Sequence, residues 1–273
     1  MEILSYRAFT TPADRRSGNP AGVVIDADAL ERDEMLAIAT ELGFSETAFL
    51  MDVTPGLARV RYFTPRDEIA FCGHATIASG VALARRGAGE TVTFATRAGA
   101  VPVAVDPRTA TLTAVETDVH PLDEVALGAL LEALRLRPAD LDPALPPAFV
   151  RGGNPHPLLF VVDGVLPALD HDDEAVLAVQ NRFGWDGTVP VVRRCSAERF
   201  VSRNPFPRGG IREDPATGSA AAGLGSYLRA GGHVATPATI HVEQGAETGH
   251  PSLIEVHIPV DGRIRVTGTA EEL

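Results

Sequence analysis

Two stretches of this chain are apolar on every side of a helix, and most of the remainder alternates as strands do. Residues 209–231 read GGIREDPATGSAAAGLGSYLRAG. A charged, Pro/Gly-rich turn leads to the corner Thr217-Gly218-Ser219, after which small apolar residues run without a charge to Arg229. A helix with no polar face is wrapped by protein, and side chains this small suit a helix inside a tight β jacket. Asp214, Thr217 and Ser219 are residue types whose side-chain oxygens satisfy the first free N–H groups of a helix. Upstream, FCGHATIASGVALARRGAG from Phe71 repeats the pattern. Laying Gly73-His74-Ala75 on Gly218-Ser219-Ala220 brings Leu83 onto Leu228. Ala/Gly helices also look alike by composition alone. As a repeat, the two stretches predict two related halves, with buried helices over 73–86 and 218–230. Each helix would aim free amides and its positive dipole end into a shared cleft, a place for a carboxylate or phosphate.

The other segments fill in around these helices. Residues 3–9 and 22–25 read as strands about the turn Arg15-Arg16-Ser17-Gly18-Asn19-Pro20. Residues 29–42 carry a helical stripe closed by Gly43, and 44–50 and 59–64 read as strands. Residues 91–115 alternate strongly, as antiparallel strands with one buried face do. The texture changes near 116–120, where we place a domain boundary. An amphipathic helix over 123–136, a Pro-rich link, a strand over 158–162 and a helix over 173–183 capped by Gly184 follow. Further strands are expected at 189–192, 199–202, 239–242, 253–258 and 263–267. Regular βαβ alternation is missing, so the class is α+β and not a doubly wound sheet. The expected domains are 1–117 and 118–261, with the C-terminal strand, 262–273, a candidate to complete the first.

Composition narrows the function. A length of 273 residues allows two cores. A formal net charge of −12 argues against a nucleic-acid face and an anionic membrane surface. No run approaches a membrane span, and MEILSYRAFTT reads as a strand without the shape of a signal peptide, so a cytoplasmic setting is expected. Cys72 and Cys195 form neither a disulfide framework nor a zinc spacing. The chain has no lysine, which excludes a pyridoxal aldimine, a lysine Schiff base and a Walker A loop.

Four residues stand out as chemistry. Glu46 is an isolated carboxylate in the uncharged run GFSETAFL, either a strand-end surface group or a proton carrier with a raised pKa. His74 stands at a helix start, where the dipole disfavours its protonated form; a capping role is the alternative. Asp214 and Ser219 flank the second helix start, and capping accounts for either alone. Cys72 is either a thiolate base or a plain buried cysteine. His171-Asp172-Asp173 resembles a metal site only in composition and is expected to open the following helix. No GxSxG elbow occurs.

The segments SGNPAGVV, GFSETAFL, RYFTPRDEIAFCGHAT, GIREDPATGSA and QGAETGHPS together resemble the PhzF-like phenazine-biosynthesis family, within the diaminopimelate epimerase superfamily. They run in order from Gly18 to Ser252. The resemblance implies two pseudo-symmetric domains, each a barrel-like, mostly antiparallel sheet around a central buried helix. It further implies an active site in the cleft between them, a homodimer and no cofactor; no metal site is expected. The family's acid/base glutamate falls on Glu46 and its partners on His74, Asp214 and Ser219; Ser45, Gly73 and Gly218 line the substrate's place. Ala70, His250 and Arg7 depart from the proline, arginine and acidic residue common there, which bears on substrate identity. Epimerases of the superfamily use two facing cysteines. Cys72 matches the first, but the second would fall near Pro215-Ala216, where there is no thiol. The function implied is a cofactor-independent isomerase of a small carboxylic acid. The alternatives are a racemase or epimerase using Glu46 opposite Cys72 or His74, and a non-catalytic binding protein on the same fold.

Overall fold

The computed structural model describes residues 1–11, 14 and 16–273, so Arg15 of the expected turn lies outside the described residues. The first half contains β1 (Glu2–Ala8), β2 (Asn19–Ile25), α1 (Arg32–Leu42), β3 (Glu46–Thr54), β4 (Leu57–Phe63) and the short β5 (Glu68–Ile69). It continues through α2 (Gly73–Ala84), β6 (Thr91–Thr96), β7 (Gly99–Val105) and β8 (Thr109–Thr113). Next come β9 (Asp118–Pro121), α3 (Glu124–Ala133), β10 (Ala148–Gly152), β11 (Asn154–Phe160), α4 (Val165–Ala168) and α5 (Asp173–Phe183). The chain then passes through β12 (Val191–Arg194), β13 (Arg199–Arg203), α6 (Gly218–Ala230), β14 (Ala238–Gln244), β15 (Ser252–Ile258) and β16 (Arg265–Glu272).

Neighbouring strands run β1-β2-β3-β4-β6-β7-β8-β16, and β1 also pairs with β16, closing an eight-stranded barrel. From β16 the ladder continues through β15, β14, β13, β12, β11, β10 and β9. The pairing repeats. Along β1-β2-β3-β4-β6-β7 it alternates antiparallel and parallel, and β10-β11-β12-β13-β14-β15 alternates in the same order. Parallel neighbours need a crossover. Here α1 and α5 supply the first crossover of each half, and α2 and α6 the second. The two small-residue helices therefore occupy equivalent places, each inside its own sheet.

Side-chain size explains why they fit. Every residue of α2 from Gly73 to Leu83 is buried, as is every residue of α6 from Gly218 to Leu228. A Cβ on Gly80 would lie 2.9 Å from Val105 Cγ1, and one on Gly223 would lie 2.5 Å from Val150 Cγ2. The jacket is close enough to demand glycine at those two points. The main core runs through both sheets, and α1 packs Met35 and Ala39 on a separate cluster with Phe49 and Phe63. No helix among the described residues is long and apolar enough to cross a membrane.

Several boundaries differ from the sequence reading. α1 begins at Arg32, not 29, because Glu31 and Glu34 form a reciprocal capping box there. α3 is shorter than 123–136, with Asp123 accepting from the amides of Val125 and Ala126 as its N-cap. β9 and β10 were not anticipated. A further difference concerns the central helices, because neither has a side-chain cap at its N-terminus. Thr217 Oγ1 instead donates to Asp214 Oδ2 at 2.6 Å. The first amides of both helices stay free of side-chain caps.

Candidate active site

The two helix starts meet. A Cβ on Gly73 would stand 3.4 Å from Gly218 Cα and 3.7 Å from the backbone nitrogens of Gly218 and Ser219. Glycine at both positions lets the backbones approach, and two sets of free N–H groups converge on one small region. Above it opens a cavity of about 470 Å³. Its lining includes Glu46, Gly73, His74, Asp214, Gly218 and Ser219, so six of the seven candidate residues share one space. Ser45 is not in the lining; the residue is half-buried, and its buried hydroxyl adjoins Glu46.

Glu46 is the first residue of β3, brought beside α2 because β3 runs parallel to β2 with Ala21 opposite Glu46. It is buried, and its Oε2 has no hydrogen-bond partner among the described residues. Burial pushes its pKa up to about 7, with the Ser45 hydroxyl pulling the other way. Asp214 is raised to about 6, again by burial first. His74, when protonated, and the Thr217 and Asn19 hydrogen bonds oppose that rise, and Glu46 adds to it. Both carboxyls are thus held above their usual range by burial.

Asn19 links the parts. Its amide donates to Asp214 Oδ1 at 2.7 Å and to His74 Nδ1 at 3.2 Å. That pattern leaves the proton of a neutral His74 on Nε2, which lies 3.5 Å from Glu46 Oε2. Burial lowers the His74 pKa against the pull of Asp214, which favours the neutral ring. Cys72 Sγ lies 3.3 Å from His74 Nδ1. Burial, followed by the Glu46 charge, raises the Cys72 pKa well above the ordinary thiol value, so the group is a thiol at neutral pH. Glu46, Cys72 and His74 each offer a ligand atom within 4.8 Å of the others. A cation held there would need the Cys72 proton removed and would occupy the carboxylate of Glu46.

On the other helix, Ser219 Oγ lies 2.9 Å from His156 Nε2. Burial lowers His156 to about 4, so it is neutral. Its Nδ1 lies 3.2 Å from both the carbonyl and the hydroxyl of Thr188. The Thr188 carbonyl can only accept, so Nδ1–H donates to it and Nε2 is left to accept from the Ser219 hydroxyl. Gln244 braces the corner, donating to the Asp214 carbonyl at 2.6 Å and accepting from Thr217 N at 3.2 Å. Glu213 is anchored on its far side. Against the upward push of burial, His171 and Arg203 draw it down to about 2. His171 therefore holds Glu213, with Nε2 3.1 Å from Oε1, while Asp172 caps α5.

Asn19 and His156 were missed as site residues. For Asn19 a positional signal existed, because Gly-Asn-Pro occurs at 18–20 and again at 153–155. Gly18 and Gly153 have φ of 92° and 91°, and each precedes the first residue of an equivalent strand, β2 and β11.

The PhzC-PhzF family model, a phenazine biosynthesis-like protein, matches residues 6–272. The chain belongs to the phenazine biosynthesis-like family. The uncharacterized isomerase YfhB of Bacillus subtilis (strain 168) is 31% identical over 286 residues, covering 98% of this chain and 95% of that protein. The trans-2,3-dihydro-3-hydroxyanthranilate isomerase of Pseudomonas chlororaphis is 30% identical over 243 residues, covering 87% and 84%. The crystal structure of a PhzF-family phenazine biosynthesis protein from Bacillus anthracis matches with a TM-score of 0.85 at 26% identity, over 100% and 98% of the two chains. This PhzF-like chain is an enzyme of the isomerase type.

Proposed function

We propose that the protein moves a proton between two carbons of a small carboxylic acid, with Glu46 as the single acid/base and no cofactor. The buried, unpartnered Oε2 of Glu46 beside His74, over two converging helix starts, carries this reading. The substrate carboxylate lies on the amides of Gly73, Gly218 and Ser219, where the two dipoles favour negative charge. Glu46 takes a proton from the carbon next to the unsaturated system and returns it further along. Its pKa of about 7 suits both directions near neutral pH. Neutral His74 donates from Nε2 toward the reacting region, and Asp214 holds Asn19, and through it the ring, in place.

A two-base racemisation fits less well. Bases flanking one carbon, each at about 3–3.5 Å, would sit roughly 6–7 Å apart, whereas Glu46, Cys72 and His74 lie within 4.8 Å of one another. The cleft would be formed between a unit of residues 1–117 with 262–273 and a unit of 118–261. Homodimerisation and a cytoplasmic setting belong to the same reading, on the strength of the family. The substrate class includes cyclic and acyclic unsaturated acids, of which the acid named for the Pseudomonas relative is one candidate.

The test is solvent deuterium incorporation into a panel of unsaturated carboxylic acids, followed by NMR. Wild type should exchange and migrate the double bond of a substrate. Glu46→Gln should bind the same acid yet lose about 10²–10⁴-fold or more in exchange. Exchange by Glu46→Gln at the wild-type rate would overturn the assignment.

A further inference from the structure

We propose that Arg66 binds a second anionic group of the substrate, so that this enzyme prefers acids with a negative charge at the far end as well. The inference rests on the carboxylate site above and adds the identity of the distal group.

Around the mouth of the cavity the lining contains Arg66, Asp67, Glu68, Asp186 and Arg208. Three of these are acids, and each already has a cation. Asp67 pairs with Arg32 at 2.6 Å, Glu68 with Arg61 at 2.8 Å and Arg97 at 3.5 Å, and Asp186 with Arg208 at 2.9 Å. Arg32, Arg61 and Arg97 stand outside the lining, so the rim's acids are neutralised largely from behind. Arg66 is left over. Among the described residues, its guanidinium has no ion pair or hydrogen bond, while its backbone N–H is taken by Thr64 Oγ1.

Its placement is also defined. Arg66 follows β4 in the first half, yet its guanidinium lies over Gly210 of the second. A Cβ on Gly210 would stand 2.9 Å from Arg66 Cζ and 3.0 Å from Nη1, and the φ of +83° there also selects glycine. The bare backbone leaves a seat for a planar cation across the cleft opening. Arg66 is exposed and the helix starts are buried, so the two anion-attracting features lie at mouth and floor of one cavity. A guanidinium takes a carboxylate or phosphate through two parallel hydrogen bonds. An ammonium at that end of a substrate would be repelled.

Isothermal titration at low salt with unreactive probes tests this. Butyrate and hexanoate carry one charge; glutarate and adipate carry two, and 3-phosphonopropionate separates phosphate from carboxylate preference. Wild type should bind one doubly charged probe about tenfold or more tightly than the monocarboxylate of like length, the worth of one charge-assisted hydrogen bond. The preference should fall with added salt. Arg66→Gln, at an exposed site, should erase the preference and leave monocarboxylate affinity unchanged; Gly73→Ala, which crowds the two helix starts, should weaken both classes. Equal affinity for both classes in wild type, or a preference that survives in Arg66→Gln, would overturn the proposal and leave the carboxylate floor intact. If no probe binds wild type, the carboxylate site falls, and this inference with it.

Discussion

Replacing Glu46 with Gln should stabilise the folded protein at alkaline pH while abolishing its chemistry. A carboxyl whose folded pKa lies above its unfolded value holds its proton more tightly when folded. The stability linked to that proton is present below about 4.5 and is lost as pH rises through about 7. The rise from 4.5 to about 7, at ~1.4 kcal/mol for each pH unit, puts about 3 kcal/mol of strain on ionised Glu46. Gln keeps the shape and cannot ionise. With ~2 cal/mol/K per residue over 273 residues, 3 kcal/mol corresponds to a Tm increase of about 5 °C at about pH 8. Near pH 5 Glu46 is already protonated in the folded state, and the gap should shrink to less than about 1 kcal/mol. Paired calorimetric melts of the two proteins across this range read the difference directly. Asp214 is raised by burial too, but it is present in both proteins. A variant that melts below wild type at pH 8, or a gap that ignores pH, would refute the claim that Glu46 carries a costly buried charge.

Other outcomes follow from the same geometry. Asn19→Ala removes donors to both Asp214 and His74, and should cost about 1–3 kcal/mol of stability and most of the activity; an active variant with an unchanged Tm would show that the bridge does not matter. Gly223→Ala forces a methyl against Val150 and should cost about 1–3 kcal/mol, with Val150→Ala recovering part of it in the double variant; no recovery would mean the clash lies elsewhere. Cys72→Ser should keep most deuterium exchange, and a chelator should leave exchange unchanged. Loss in either experiment would bring the Glu46-Cys72-His74 cluster forward as a thiol or metal centre.

Sequence patterning located what is local. The span 173–183 with Gly184 as its cap was legible because α5 has a polar cap, an apolar stripe and a left-handed glycine in register. The starts of α2 and α6 were legible because a Gly corner precedes an uncharged run. β10 was not, since Ala148–Gly152 emerges from a link dense in proline. β11 begins at Asn154, four residues before its expected start, because Asn-Pro-His-Pro reads as a turn until a neighbouring strand pairs with it. The four parallel pairs leave no mark in alternation at all. Within the site, Glu46, His74, Asp214 and Ser219 each carried a plain structural alternative. What sequence lacked was their convergence, which depends on two glycine backbones touching across 145 positions, from 73 to 218. Asn19 and His156 stayed hidden because an amide after glycine and a ring in a short apolar strand give no chemical signal until their partners arrive.

The shared strand β16 has a consequence for the order in which the molecule assembles. It pairs with β8 and β15, and it also lays Tyr6, Arg7 and Ala8 against Glu272, Glu271 and Ala270. During translation the half made first must therefore wait for residues 265–272 before its barrel can seal. Until then β1 and β8 offer open edges, the kind that recruit other strands. Nascent chains stalled before residue 265 should be cut by protease within the first half, whereas released chains should resist. Protease resistance of the stalled chain would mean that the barrel closes without β16. Synthesis and closure thus run in opposite directions here: β1 is secured by a strand made about 260 residues after it.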